Sequence, residues 1–102
     1  MLFRSPSVTF TTTAAVIVTV GPGQTFSPTN VSLSVGGTVG WNWAAGNTLL
    51  HNVTFAAVAG APADIPNMVS GSAARPFGTA GTFTFQCTNH PATMNGQVTV
   101  NP

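Results

Sequence analysis

GTFTFQCTNHPATMNGQVTV, residues 81–100, is the stretch on which the fold turns. Thr82 to Cys87 alternates polar and apolar side chains, and Gln97 to Val100 does so again. That period of two is the mark of strands with one buried face. Between them lies the loop CTNHPATM, which brings Cys87, His90 and Met94 close together in sequence. The whole chain has one cysteine, two histidines and three methionines, so this loop concentrates its soft and imidazole donors.

A thiolate, a thioether and imidazole nitrogens suit copper better than zinc, calcium or magnesium. Zinc sites rarely use methionine and usually take cysteines in pairs. A second imidazole can come only from His51, which opens the strand-like stretch HNVTF. Two histidines and a cysteine in a plane, with a distant axial methionine, make a blue-copper electron-transfer site. A loop between neighbouring strands can fold three ligands around one point, while His51 comes from a different strand placed by the fold. Ligands held this way resist rearrangement when copper changes oxidation state, which is the main demand on an electron carrier.

The rest of the chain supplies the scaffold. Further strand-length runs lie at Ala15 to Val20, Val31 to Val35, Val39 to Trp43 and His51 to Ala57, with Ser72 to Phe77 a weaker one. Pro76 confines that last run to an edge or a strand end. Glycines at 21–23, 36–37 and 78–81 punctuate the runs as turns. Gly60 to Ser72, with Pro62 and Pro66, breaks the rhythm and reads as a long loop or a short turn of helix. Many short strands and no helical period predict an all-β sandwich or barrel. The 102 residues suit a single domain, taken here as 15–102, preceded by an arm at 1–14. Leu2, Phe3, Val8 and Phe10 make that arm apolar, so it is expected to add a strand or to pack on another chain.

Charged residues make up only 3% of the chain, with a net charge of +1. No field steers nucleic acid or an acidic partner, which excludes nucleic-acid binding. A single cysteine excludes an internal disulfide. No stretch reaches the roughly 20 apolar residues of a membrane span. The first twenty residues begin like a signal peptide, but Ser5, Pro6, Ser7 and Thr11 to Thr13 interrupt the apolar run.

From Val16 to Val100 the chain resembles the cupredoxins, in particular the small bacterial plastocyanin- and amicyanin-like proteins. The resemblance rests on VTVGPGQTFSPTNVSLSVGGTVGWNW, then HNVTF, then GTFTFQCTNHPATMNGQVTV. It implies a Greek-key antiparallel β-sandwich of about eight strands and one type 1 copper ion. It implies His51, Cys87 and His90 as equatorial ligands and Met94 as the axial one. It also implies that Asn52, next to the first histidine, gives its backbone N–H to the Cys87 sulfur. The spacing C-x2-H-x3-M falls between plastocyanin's C-x2-H-x4-M and amicyanin's C-x2-H-x2-M. The chain has no tyrosine, and it lacks the acidic patch of plant plastocyanins, so docking by opposite charge is not expected.

Each residue also has a plainer reading. Cys87 alone reads as a buried thiol, His51 as a hydrogen-bonded strand residue and Met94 as core filler. Together they fit one template. A cysteine–histidine nucleophile needs a cleft and an oxyanion device that the sequence does not display. Trp41 and Trp43 share one strand face and read as core rather than as an electron relay. Met68 reads as packing. Leu49, Leu50, Pro62, Pro91 and Ala92 form either an apolar collar around the edge of His90, where redox partners dock, or an ordinary buried loop.

Two functions follow. The first is a mobile, non-enzymatic electron carrier cycling Cu(I) and Cu(II) in the periplasm or outside the cell. The second is a non-catalytic structural subunit on the same scaffold, held in a larger periplasmic or membrane-bound (photosynthetic or respiratory) complex, with copper optional. The intact ligand set favours the first, and the charge-poor surface and apolar arm favour the second.

Overall fold

The computed structural model describes residues 16–102, so the arm at 1–14 and its expected pairing lie outside the described residues. Nine strands follow in order: β1 (Val16–Val20), β2 (Phe26–Ser27), β3 (Asn30–Ser34), β4 (Thr38–Trp43) and β5 (His51–Phe55). Then come β6 (Ile65–Met68), β7 (Gly71–Pro76), β8 (Gly81–Gln86) and β9 (Asn95–Asn101). They build two sheets, β2-β1-β4-β7 and β3-β9-β8-β5-β6. The all-β sandwich expected from the sequence is the architecture found, and the described residues contain no helix.

Alternation in the sequence becomes alternation in burial. Val31 and Leu33 of β3 point inward between exposed neighbours, as do Phe83 and Phe85 of β8. Trp41 and Trp43 both face the core, as expected from their spacing. Trp41 stands edge-on to Phe55 and Phe85, with ring centroids 5.5 Å away in each case. Such edge-to-face pairs add about 0.5–1.5 kcal/mol each beyond simple burial. Phe26 closes on Phe85 from β2 at 5.0 Å, so one aromatic cluster joins the two sheets.

Three features depart from the sequence reading. β1 runs parallel to β4 and β3 parallel to β9, so the sheets are mixed rather than wholly antiparallel. Pairing direction depends on how the chain crosses between sheets, which hydrophobic period does not encode. β2, two residues long, is too short to leave a period at all. The segment Gly60 to Ser72 is neither a plain loop nor a helical turn: it contains β6 and the start of β7. Pro66 is tolerated in β6 because this strand is the sheet's edge and needs no second ladder of donors. β7 is the edge of the other sheet and ends at Pro76, as the proline required.

The two edges are tied together by charge. Arg75 on β7 donates from Nε to the Ala63 carbonyl at 2.8 Å and from Nη2 to the Asp64 carbonyl at 3.0 Å. Asp64 in turn accepts the Phe55 backbone N–H at 2.9 Å through its carboxylate. Both charged side chains of the described residues are thus bound to main chain.

Gly96 sits where a side chain has no room. A Cβ there would overlap the Thr29 carbonyl oxygen and press the Phe85 ring. The close approach lets Gln97 donate its N–H to Thr29 at 2.9 Å and starts the β3–β9 ladder. Gly96→Ala is therefore expected to cost about 1–3 kcal/mol, the usual range for overpacking. Urea unfolding would register it as a lower midpoint with an unchanged slope.

Candidate metal centre

The site is built at one end of the five-stranded sheet. β5 and β8 are antiparallel neighbours, with Thr54 opposite Gln86 and Phe55 opposite Phe85. β5 begins at His51, and Cys87 directly follows β8, so the two residues meet at the same end of the ladder. The loop Cys87–Met94 then closes on itself. Cys87 N–H donates to the Met94 carbonyl at 3.0 Å, extending the β8–β9 pairing by one step. Inside that neck, His90 N–H bonds the Cys87 carbonyl at 3.0 Å, and Met94 N–H bonds the His90 carbonyl at 2.9 Å. These turns leave His90 at the apex of the loop.

The donor atoms converge. Cys87 Sγ lies 4.0 Å from His51 Nδ1 and 3.7 Å from His90 Nδ1. The ligand atoms of the three residues all fall within 4.8 Å of one another. A first-row metal with nitrogen near 2.0–2.1 Å and sulfur near 2.3 Å, bound in a trigonal plane, sets sulfur and nitrogen about 3.8 Å apart. The observed separations match that plane and are long for sulfur–nitrogen hydrogen bonds. A thiolate with two imidazoles is the donor set that copper prefers, so the residues present fit a copper ion.

Burial grades across the site. His51, Cys87 and Met94 are fully buried, whereas His90 is partly exposed. Nε2 of His51 is buried with no hydrogen-bond partner at normal distance. Burial therefore lowers the His51 pKa below the ordinary 6.5, and the nearby His90 lowers it further. The Gly23 carbonyl opposes the shift, though it stays short of a regular hydrogen bond to the ring. A neutral imidazole is the form that binds metal.

Side-chain hydrogen bonds fasten the ligand loop to its surroundings. Asn52 Oδ1 accepts the Thr88 backbone N–H at 3.1 Å and the Thr54 hydroxyl at 2.9 Å. Asn52 Nδ2 donates to Thr88 Oγ1 at 2.8 Å. Thr93 Oγ1 donates to Gln24 Oε1 at 2.9 Å on the opposite flank of the loop. Thr88, Thr93 and Gln24 had no signal in the sequence, because nothing local to them predicts a contact with the loop. Of the collar residues, Leu49, Leu50, Pro91 and Ala92 are exposed and Pro62 is half-buried. Met68 packs against the core, as expected.

The sequence model for copper-binding proteins of the plastocyanin/azurin family matches residues 12–101. Among solved structures, the chain is similar to amicyanin in several variants. A Cu(I) form of a methionine-to-alanine variant shares 32% identity at a TM-score of 0.73, covering 87% of this chain and 84% of that one. A second methionine variant in the Cu(I) state shares 31% identity at 0.71, covering 85% and 82%. A reduced tryptophan-to-tyrosine variant shares 31% identity at 0.72, covering 86% and 83%. No curated protein matches.

The depressed His51 pKa makes stability depend on pH. The unfolded histidine titrates near 6.5 and the folded one lower, so the unfolded state takes up the proton first as pH falls. The contribution is complete above about pH 6.5 and is lost as pH drops toward the folded value. The copper-free protein is expected to show a lower urea midpoint at pH 5 than at pH 7. His51→Gln should shrink that difference, and an equal pH dependence in both proteins would refute the linkage.

Proposed function

Because the chain belongs to the plastocyanin/azurin family of copper-binding proteins and is a type 1 copper electron-transfer protein rather than an enzyme, we propose that His51, Cys87 and His90 are the equatorial ligands of its copper ion and Met94 the axial one. The observation that supports this most directly is the meeting of three buried or half-buried donors within 4.8 Å at a strand-end loop. The ion supplies a one-electron cycle between Cu(I) and Cu(II). Cys87 would supply the soft sulfur ligand that suits copper. His51, buried and neutral, fixes one corner from β5. Met94 is buried at the loop's closing residue, where a weak axial donor fits. Asn52, adjacent to His51 and tied through its side chain to Thr88, is proposed to give its backbone N–H to the Cys87 sulfur.

His90 is the exposed ligand, and its ring edge is the proposed route for electrons. Around it, Leu49, Leu50, Pro91 and Ala92 offer exposed apolar surface. Asn89, one residue before His90, is bonded to the Leu50 carbonyl at 3.0 Å, which joins the two parts of that surface. Family members exchange electrons with redox partners, and this face is where such a partner docks. The proposed location is the periplasm or the cell exterior, where the carrier meets its partners in solution; no helix of the described residues is long and apolar enough to cross a membrane. A permanent place in a membrane-bound complex is the second reading, favoured by a surface with so few charges. The two differ in whether the protein is recovered free or with membranes.

Protein given Cu(II) should turn intensely blue, and Cys87→Ser should abolish the colour while the fold survives. A colourless wild type with intact β circular dichroism would refute the ligand set. Met94→Leu should keep the copper and raise the reduction potential, since it removes a soft axial donor. A potential that falls or stays fixed in voltammetry would exclude Met94 as a ligand.

A further inference from the structure

We propose that Asn67 is a positioning residue for the copper site, acting as a bridge between the chain segments that carry the two histidines. This deepens the reading above and rests on His51 and His90 being ligands. Asn67 lies on β6, outside the ligand loop and outside β5. Its Oδ1 accepts from Asn52 Nδ2 at 2.9 Å and from Asn89 Nδ2 at 2.9 Å. Asn52 directly follows His51, and Asn89 directly precedes His90. One carbonyl oxygen thus joins the neighbours of both imidazoles, using its two lone pairs.

The polarity of this chain of amides is fixed at both ends by main-chain groups. Thr88 N–H can only donate, so the Asn52 atom facing it is the oxygen. Asn52 therefore turns its NH2 toward Asn67, which must answer with Oδ1. Asn89 must then present NH2 to that oxygen. The same NH2 also faces the Leu50 carbonyl at 3.0 Å, a group that can only accept. All three amides are consistent with one orientation, and no other orientation satisfies both ends.

The backbone prepares Asn67 for this place. β5 and β6 pair His51 with Met68 and Val53 with Ile65, with a register shift between. Asn52 alone on β5 therefore faces both Pro66 and Asn67 on β6. Such a bulge adds one residue and re-aims a side chain. Pro66 gives up no ladder bond there, because β6 is the edge. The extra residue lets Asn67 reach over Asn52 to the ligand loop.

The bridge complements the tie on the other flank. Thr93 holds the loop to Gln24 next to the β1–β2 turn. Without Asn67, the His51-facing side of the loop keeps only the bonds of Asn52 to Thr88 and of Asn89 to Leu50. Asn67 and Asn89 are both exposed and take no part in the core. Their loss should therefore loosen His90 without unfolding the sandwich.

The test uses full-length protein with Asn67→Leu, Asn67→Asp, Asn89→Ala and the double variant Asn67→Leu/Asn89→Ala. In copper-free protein, NMR relaxation of His90 and exchange of the Asn89 side-chain amide report the bridge directly. With Cu(II) added, affinity and the EPR spectrum report its effect on the site. Asn67→Leu should increase His90 exchange broadening, speed Asn89 amide exchange and weaken Cu(II) binding about tenfold. Asn67→Asp keeps an acceptor oxygen and should restore the order of His90. The double variant should lose less than the sum of the two single losses, because the Asn67–Asn89 bond is cut in both single variants, while Asn89→Ala also cuts the bond to Leu50. Wild-type His90 dynamics and EPR in Asn67→Leu would overturn the proposal, as would losses that simply add in the double variant. Should Asn67→Leu fail to fold, Asn67→Ala takes its place, since it removes the same acceptor oxygen from an exposed position and leaves the bond of Asn89 to Leu50 intact. A wild type that binds no Cu(II) overturns the ligand assignment, while the copper-free measurements still decide the bridge.

Discussion

The register between β5 and β8 is the constraint on which the metal centre depends. Thr54 stands opposite Gln86 and Phe55 opposite Phe85. Continued outward, that register sets Asn52 against Thr88 and His51 against Asn89. The ladder's last rungs are no longer backbone pairs but the side-chain exchange between Asn52 and Thr88. A slip of one residue would turn every inward side chain of β5 outward. Such a slip is resisted by Phe55 and Phe85, which are locked edge-on around Trp41. The aromatic core thus determines which residue of β5 faces Cys87, and so where the imidazole of His51 arrives.

Given that register, the loop decides the rest. The Cys87–Met94 backbone bond closes the neck, and the turn bonds at His90 fill the interior. Three residues between His90 and Met94 suffice for the chain to turn back onto β9. The outcome is a graded site: sealed on the side of His51 and Cys87, open only at His90. A sealed site keeps solvent dipoles from reorienting with each change of charge, and the partly exposed edge of His90 is the proposed exit for the electron. The surrounding ties are neutral amides and hydroxyls rather than ion pairs. Neutral hydrogen bonds are directional, which suits holding a ligand in place, and salt does not screen them as it screens exposed charges.

Much of this was legible in the sequence, for a physical reason. Cys87, His90 and Met94 sit in one short loop, and His51 is the only other imidazole, so ligand chemistry could be read by elimination among rare residues. β3, β4, β8 and β9 bury alternate residues and announce themselves by period. β6 did not, because it is four residues long, contains a proline and carries a bulge. Asn67 was invisible for the same reason: its significance lies in a tertiary contact across a register shift, and local pattern carries no trace of that. The parallel pairings of β1 with β4 and β3 with β9 were likewise hidden, since strand direction is a property of the whole topology.

The scarcity of charge bears on how such a site is used. Asp64 and Arg75, the two charged side chains among the described residues, are both bound to main chain around β6 and β7, and neither serves as a free steering group. With one cationic and one carboxylate side chain among the described residues, these offer little electrostatic attraction to raise the encounter rate with a partner. On the proposed docking face, recognition would fall to shape and apolar contact at the exposed Leu49, Leu50, Pro91 and Ala92. Apolar contact is non-directional and short-ranged, so it tolerates several orientations as long as the partner's acceptor group comes near the His90 edge. For electron transfer that tolerance is acceptable, because a complex needs only to bring two centres close for a moment and then separate. A weak apolar face around one exposed ligand, on a rigid and nearly uncharged sandwich, meets both requirements.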